Sequence, residues 1–214
     1  NNLFTGNNSP GEGNTSVGRF LSRLFNFGTR GNAAAKGILH PGSSGPITPG
    51  PGMSNAQVPS AQSAFEFWKG KGASDAGAAS MVGQMLGESG GDPASRQPGG
   101  AGHGLYQWDA FRAARILEVT GINVYTASAD EQHRAAYLEM TLGLDAGAAR
   151  AWEKIKGAGD TSTAVTAGVE DFERSKNQGS DINKRVGYAN DAMSRFGTSS
   201  TGSSELERTL HLMP

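Results

Sequence analysis

The uneven distribution of glycine and proline is the feature that most constrains how this chain folds. The first 60 residues of the 214-residue sequence contain 17 residues of these two types, whereas all the remaining residues together contain 24. Proline removes a backbone donor and glycine is costly to order, so a segment rich in both does not hold a helix. We therefore predict a linker-like arm over residues 1–59, with residues 37–59 as its spacer.

One stretch inside this arm has a different pattern. Residues 17–27 carry large apolar side chains at helical spacing, with arginines around them, which predicts a short amphipathic segment. A helix of this length is marginal in water, so its apolar face is expected to rest on the chain's own domain or on another protein. The tail, residues 198–214, begins with a Ser/Gly linker and ends in a short amphipathic stretch, either a frayed end or a second docking peptide.

Composition excludes several classes of function. A net charge of -1 gives no basic surface for nucleic acid, and zero cysteine excludes disulfides, thiolate zinc sites and a cysteine nucleophile. No apolar run approaches the ~20 residues of a membrane span. The four histidines show no metal-ligand spacing, so neither a metal nor a cofactor is expected. Because the first residue is Asn1 and no leader pattern follows, the chain is expected to be a piece of a longer polypeptide.

From Ser60 onward the pattern becomes helical. Polar start signals and glycine stop signals recur, while sustained apolar/polar alternation is missing. We therefore predict a mostly α domain over residues 60–197. The helical segments are expected at residues 63–69, 74–88, 109–121, 128–142, 145–156, 163–174 and 181–196.

The residues that point to chemistry lie between two of these segments. Residues 87–93 read GESGGDP and residues 104–109 read GLYQWD, with a glycine-rich loop between them. Glu88 ends an apolar helix, and a carboxyl group there loses hydration, which raises its pKa and suits a general acid. The glycines leave room for a bulky polymer. A lone glutamate at a helix end is more often exposed and without function, so only the combination is informative.

The combination resembles a known superfamily. Glu-Ser-Gly-x-Asp-Pro followed by Gly-Leu-x-Gln-Trp is similar to the goose-type lysozymes and soluble lytic transglycosylases. The Gln-Trp ending, residues 172–174 (FER) and residues 185–189 (RVGYA) resemble more specifically the phage tail lysozyme family. The resemblance covers about residues 61–197. It implies a lysozyme-like helical fold and a muramidase that cleaves peptidoglycan, carried in a phage tail or inside the virion and acting on the host wall.

The resemblance also implies a role for individual residues. Glu88 is expected to protonate the glycosidic oxygen, and Ser89 to hold the Glu88 carboxylate through a hydrogen bond. Gln107 is expected to orient the sugar through its amide, which both donates and accepts. The expected partners are the glycan strands of peptidoglycan and, through the arm and the tail, other virion proteins.

Three aromatic residues are further candidates for substrate binding. Tyr106 and Trp108 are expected to line the cleft, since aromatic faces pack on sugar rings. A position in the core under the loop is an equal alternative for Trp108. Tyr188 resembles a tyrosine that many of these enzymes place near the catalytic glutamate, and a place on the buried face of its helix is the alternative.

The mechanism depends on whether a second carboxylate exists. Asp92 and Asp109 are the nearest in sequence to Glu88, but Asp92 precedes a proline as turn residues do, and Asp109 is a natural N-cap. If neither serves, the N-acetyl group of the substrate is expected to assist, which permits an anhydro-sugar product. A lytic transglycosylase and a structural virion protein that keeps the fold without turnover are therefore the alternative functions.

Overall fold

The computed structural model describes residues 47–174 and 177–198, and this part of the protein is helical. It contains seven α-helices and no strand, with isolated bridges only at Arg96–His103 and His103–Trp108. This confirms the mostly α prediction. The segment at residues 17–27 and the tail from residue 199 lie outside the described residues. After a 3₁₀ turn (Asn55–Gln57) the helices are α1 (Val58–Gly70), α2 (Asp75–Ser89), α3 (Ala110–Thr120), α4 (Ala129–Thr141), α5 (Ala146–Ile155), α6 (Thr161–Ala167) and α7 (Gln178–Phe196).

Most helices begin at the polar residues that the sequence indicates. Ser74 and Asp109 each accept a hydrogen bond from a backbone N–H in the first turn of their helix. Ser128 and Glu131 form the expected capping box, in which each side chain bonds the backbone of the other residue. These caps satisfy donors that the first turn of a helix leaves without a partner. Local chemistry therefore determines where the helices begin.

Two helical segments differ most from the prediction. Helix α1 begins at Val58, earlier than expected, because Pro59 lies in its first turn, where a missing N–H has no cost. The helix predicted at residues 163–174 is instead α6 followed by a π-helical segment, Gly168–Glu173. A side chain at Gly168 would collide with the amide of Gln84 on α2. The change in winding thus occurs where the backbone passes closely over α2.

Helix α2 forms the centre of the core. Every residue from Ala76 to Leu86 is buried, as expected for a helix that packs on all sides. It contacts α1, α6 and α7, and a Cβ atom at Gly83 would lie 2.6 Å from the carbonyl oxygen of Arg185 on α7. The two helices therefore approach closely at this glycine. None of the described helices combines the length and apolar character needed to cross a membrane.

The chain before α1 also packs on the domain. The Gly50 N–H donates to the Asn183 carbonyl at 2.7 Å, and the Met53 N–H donates to Asp191 Oδ2 at 3.0 Å. The Met53 side chain is buried. Residues 50–53 thus lie along α7, and the packed structure begins before the boundary predicted at Ser60. Gly50 therefore permits close packing against α7, in addition to giving the backbone conformational freedom.

Candidate active site

Glu88 lies where the central helix reaches the surface. Helix α2 ends at Ser89, and Gly90 caps it in the left-handed conformation with φ 68°. The Glu88 side chain is 19% exposed, whereas the helix is buried up to Leu86. The predicted position of Glu88 at the end of an apolar helix is therefore the observed one. The core fixes the helix, and the helix presents a single partly exposed carboxylate to solvent.

A buried arginine holds this carboxylate. Arg185 on α7 is 4% exposed, and its guanidinium donates to Glu88 Oε1 and to Gln84 Oε1. Gly87 makes the approach possible, because a Cβ atom there would lie 2.7 Å from Cγ of Arg185. A close cation favours the ionised form of a carboxyl group. In the free protein the side chain of Glu88 is therefore paired with the Arg185 guanidinium.

A second carboxyl group belongs to the same cluster. Glu173 is the last residue of the π-helical segment, and its Oε1 atom is buried without a hydrogen-bond partner. Burial and the nearby charge of Glu88 raise the pKa of Glu173 to about 8, although Arg112 and Arg185 oppose the change. Glu173 therefore carries a proton at neutral pH. Sequence reasoning assigned it no role, because only the tertiary fold brings it near Glu88.

Arg112 and Glu139 form a buried ion pair. Glu139 accepts from Nε of Arg112 at 2.8 Å and from the indole N–H of Trp108 at 2.9 Å. The Arg112 guanidinium lies 4.8 Å from the centre of the Phe172 ring. Phe172 immediately precedes Glu173, so this ion pair supports the backbone that carries the second carboxyl group.

Tyr106 and Trp108 do not line a cleft. Both side chains are fully buried. The Tyr106 hydroxyl accepts from the indole N–H of Trp68 at 3.1 Å and lies 2.9 Å from Nδ1 of His133. Burial raises the pKa of Tyr106 and lowers that of His133 to about 4. These rings are part of the core because they are the largest apolar groups of their loop. The prediction that Tyr106 and Trp108 line a cleft is therefore wrong, and both are core residues.

Gln107 lies between Tyr106 and Trp108 in the sequence and has an unusual backbone conformation. Its φ of 45° is rare for a residue other than glycine. The side-chain Nε2 donates to the Gly104 carbonyl at 2.8 Å, so the amide nitrogen stabilises the loop. Strain of this kind collects at functional sites. The role of Gln107 toward the sugar stays a prediction.

Ser89 and Tyr188 have different surroundings from those expected. The Ser89 hydroxyl donates to the Met85 carbonyl at 2.9 Å and accepts from the Gly91 N–H at 3.2 Å. It therefore fixes the end of α2, and Arg185 provides the contact to Glu88 that Ser89 was expected to make. Tyr188 is half-buried against the core, one turn after Arg185 on α7. Its place beside the substrate stays a prediction.

The two aspartates predicted as second carboxylates bond the local backbone. Asp92 Oδ1 accepts from the Ala94 N–H at 2.8 Å, and Asp109 Oδ1 accepts from the Arg112 N–H at 2.8 Å. These are the turn and N-cap roles given above as alternatives. Across residues 47–174 and 177–198, no group of three or more His, Asp or Glu side chains could hold a metal ion.

Comparison with known families identifies the family of this chain. The family model of the phage tail lysozymes matches residues 59–196. This match runs from the start of α1 to the end of α7 and includes Glu88, Glu173 and Arg185. No curated protein and no solved structure matches the chain. The family match covers more than half of the sequence, so the chain belongs to the phage tail lysozyme family.

Proposed function

We propose that this protein is a muramidase that cleaves the β-1,4 bond between N-acetylmuramic acid and N-acetylglucosamine, with Glu88 as general acid. Family membership indicates a lysozyme-like, peptidoglycan-lytic role in a phage. One observation carries the finer proposal: a buried arginine, Arg185, emerges from the core onto a single partly exposed carboxylate, Glu88. Burying a cation is costly unless it is paired. The pairing therefore holds the partly exposed Glu88 side chain in place, which supports a role for Glu88 as the acid.

The chemistry follows from the carboxyl groups in the cluster. Cleavage needs a proton on the leaving oxygen and stabilisation of the positive charge that develops at C1. Asp92 and Asp109 are engaged with the backbone. We therefore assign the stabilisation to the N-acetyl group of the substrate, with Glu88 first giving a proton and then taking one from the attacking hydroxyl. Attack by water gives a reducing end, and attack by the sugar's own C6 hydroxyl gives an anhydro end.

We also propose that the domain acts from the virion, held by the chain that precedes it. Residues 1–46 are rich in glycine and proline, a composition typical of flexible linkers. Tethering keeps a domain at a high effective concentration near the surface it works on. The glycan strands of the host wall are the substrate, and the proteins that hold the arm are other virion components.

Mass spectrometry of digested peptidoglycan tests the proposed reaction. The full chain is incubated with purified peptidoglycan, and the soluble products are analysed before and after borohydride reduction. We expect muropeptides with a reducible N-acetylmuramic acid end. Anhydro ends would make the protein a lytic transglycosylase. If nothing is released, the protein is a structural virion component that keeps the lysozyme fold.

A further inference from the structure

We propose that Glu173 is the second carboxyl group of the site, and that Glu88 and Glu173 together hold the one proton that reaches the glycosidic oxygen. This inference rests on the proposed function. It answers a difficulty in the geometry, because the Oε1 atom of Glu88 accepts a hydrogen bond from Arg185 and the general acid needs a source for the proton that it gives. We call Glu88 and Glu173 the carboxyl pair.

The π-helical segment determines where the backbone places Glu173. The π-helical segment starts where Gly168 lies against Gln84, the residue that also binds Arg185. Arg174 caps its end and has φ 54° in the left-handed region. π-Helical turns are rare and are frequent at functional sites. Glu173 is thus the last residue of a non-standard turn that passes over the residues holding Glu88.

Charges from several elements surround the Glu173 carboxyl. Glu88 from α2 and Glu139 from α4 disfavour its ionisation, whereas Arg112 from α3 and Arg185 from α7 favour it. The buried hydroxyl of Tyr106 also interacts with it. Each arginine already has a carboxylate partner, Glu139 for Arg112 and Glu88 for Arg185. Two cations and two anions therefore balance the cluster, and Glu173 is the neutral third acid.

This balance gives the carboxyl pair a single proton. Glu173 is half-buried as a residue, its Oε1 atom is buried without a hydrogen-bond partner, and desolvation is the largest cause of its raised pKa. Two interacting acids titrate as a pair rather than separately. The proton on Glu173 stays until the pH approaches about 8. At neutral pH this proton stays on the Glu173 carboxyl, whose Oε1 atom is buried.

The reaction uses that proton in balanced steps. It moves from Glu173 to Glu88, and the charge of Arg185 favours the Glu173 carboxylate that is left. Glu88 then gives the proton to the glycosidic oxygen while the C1–O bond breaks and its electron pair goes to the leaving oxygen. A hydroxyl, from water or from C6, adds to C1 and releases its proton to Glu88, and the carboxyl pair again holds one proton. Glu173 is therefore a positioning residue, which holds the proton for Glu88. Glu88 is the catalytic residue.

The dependence of activity on pH tests the carboxyl pair. The parent chain is compared with Glu173→Gln and with Glu170→Gln, an exposed glutamate on the same segment. We expect Glu173→Gln to lose activity about tenfold at pH 7 while keeping at least about a third of it at pH 5, where Glu88 takes a proton from solvent. Glu170→Gln should follow the parent at every pH. A profile for Glu173→Gln that overlays the parent, or a loss of equal size at every pH, would overturn the proposal.

Carbon-13 NMR of the glutamate carboxyl groups gives a readout that does not need activity. In the parent chain we expect the Glu173 signal to titrate near pH 8, and in Glu88→Gln at a lower pH, because the neighbouring negative charge is gone. Titration of Glu173 near pH 4.5 in the parent chain would contradict the carboxyl pair even if the enzyme is active. An inactive parent chain with a coupled titration would instead contradict the proposed function alone.

Discussion

Arg185 connects the core of this protein to its site. Its planar guanidinium donates at once to the Gln84 amide oxygen and to the Glu88 carboxylate, a pattern that a fixed fork of donors can satisfy. Gln84 in turn donates to the Val165 carbonyl at 3.0 Å. The position of Glu88 is therefore set by buried hydrogen bonds and not by its own exposed end.

Replacing the guanidinium of Arg185 by the single ammonium group of a lysine should weaken the site. In Arg185→Lys we expect kcat to fall at least about tenfold, because one donor centre cannot serve both Gln84 and Glu88. We also expect a loss of about 1–3 kcal/mol in the free energy of unfolding, since a buried polar group loses its partner. Peptidoglycan release and urea denaturation measure the two effects. Arg195→Lys, at an exposed pair with Asp191, is the control, and an Arg185→Lys variant as active as this control would contradict the role of Arg185.

The burial of Trp108 leads to a test that separates core from cleft. In Trp108→Phe the Glu139 carboxylate loses the indole N–H donor that lies 2.9 Å away. We expect the free energy of unfolding to fall by about 1–3 kcal/mol, while KM for soluble glycan fragments stays unchanged. Steady-state kinetics beside thermal denaturation provide the measurement. A raised KM without loss of stability would return Trp108 to the cleft.

Among the elements, the close approach of α2 and α7 and the π-helical segment determine the site. Helix caps and apolar periodicity predicted most helices, because both signals are local in sequence. The π-helical segment could not be predicted, since Val165, Val169 and Phe172 also fit an ordinary helix. The segment starts where Gly168 contacts Gln84, and these two residues lie far apart in the chain. For the same reason the partnership of Glu88 with Arg185, 97 residues later, has no local signal.

Filling the contact between α2 and α7 should affect both stability and activity. In Gly83→Ala the new Cβ atom would lie 2.6 Å from the Arg185 carbonyl oxygen, so α7 must shift. We expect a loss of about 1–3 kcal/mol in the free energy of unfolding and reduced kcat, because Arg185 moves with its helix. Gly70→Ala is the control, since a Cβ there meets nothing within 4 Å. Equal stability and activity of the two variants would show that the helices are not closely packed at Gly83.

For the molecule as a whole, His133 and Glu173, whose pKa values are shifted in opposite directions, should shape the pH dependence of stability. His133 has its pKa lowered to about 4, so its contribution is present above the ordinary value of 6.5 and is lost as pH falls through 4. Glu173 has its pKa raised to about 8, so its contribution is present below the ordinary value of 4.5 and is lost as pH rises through 8. Between pH 4.5 and 6.5 the two slopes oppose each other.

The alkaline side gives the clearer measurement. From pH 6.5 to 8 we expect the free energy of unfolding to fall by about 2 kcal/mol, since one pKa unit corresponds to about 1.4 kcal/mol. Glu173→Gln should remove most of this fall. Urea denaturation at several pH values, with Glu170→Gln as the control, checks it. A parent curve that stays flat over this range would show that Glu173 is ionised in the folded protein.

The start of the domain shows that a high content of glycine and proline can have two causes. Glycine and proline before Ser60 predicted a spacer, yet Gly50 and Met53 bond α7. A side chain at Gly187 would collide with the Gly50 carbonyl, so these glycines allow two backbones to meet. Composition does not distinguish a flexible glycine from one that permits close packing. The position of Glu88 was predictable because its helix end and its loop are adjacent in sequence.

The most direct test of the catalytic role of Glu88 is the release of soluble glycan fragments from purified cell-wall sacculi. The parent chain, Glu88→Gln and Glu118→Gln, an exposed glutamate on α3, are compared at equal concentration, and binding to the sacculi is measured by co-sedimentation. We expect all three to bind and Glu88→Gln to release fragments at least about a hundredfold more slowly than the other two. Release by Glu88→Gln at the rate of the parent chain would show that Glu88 is not the acid.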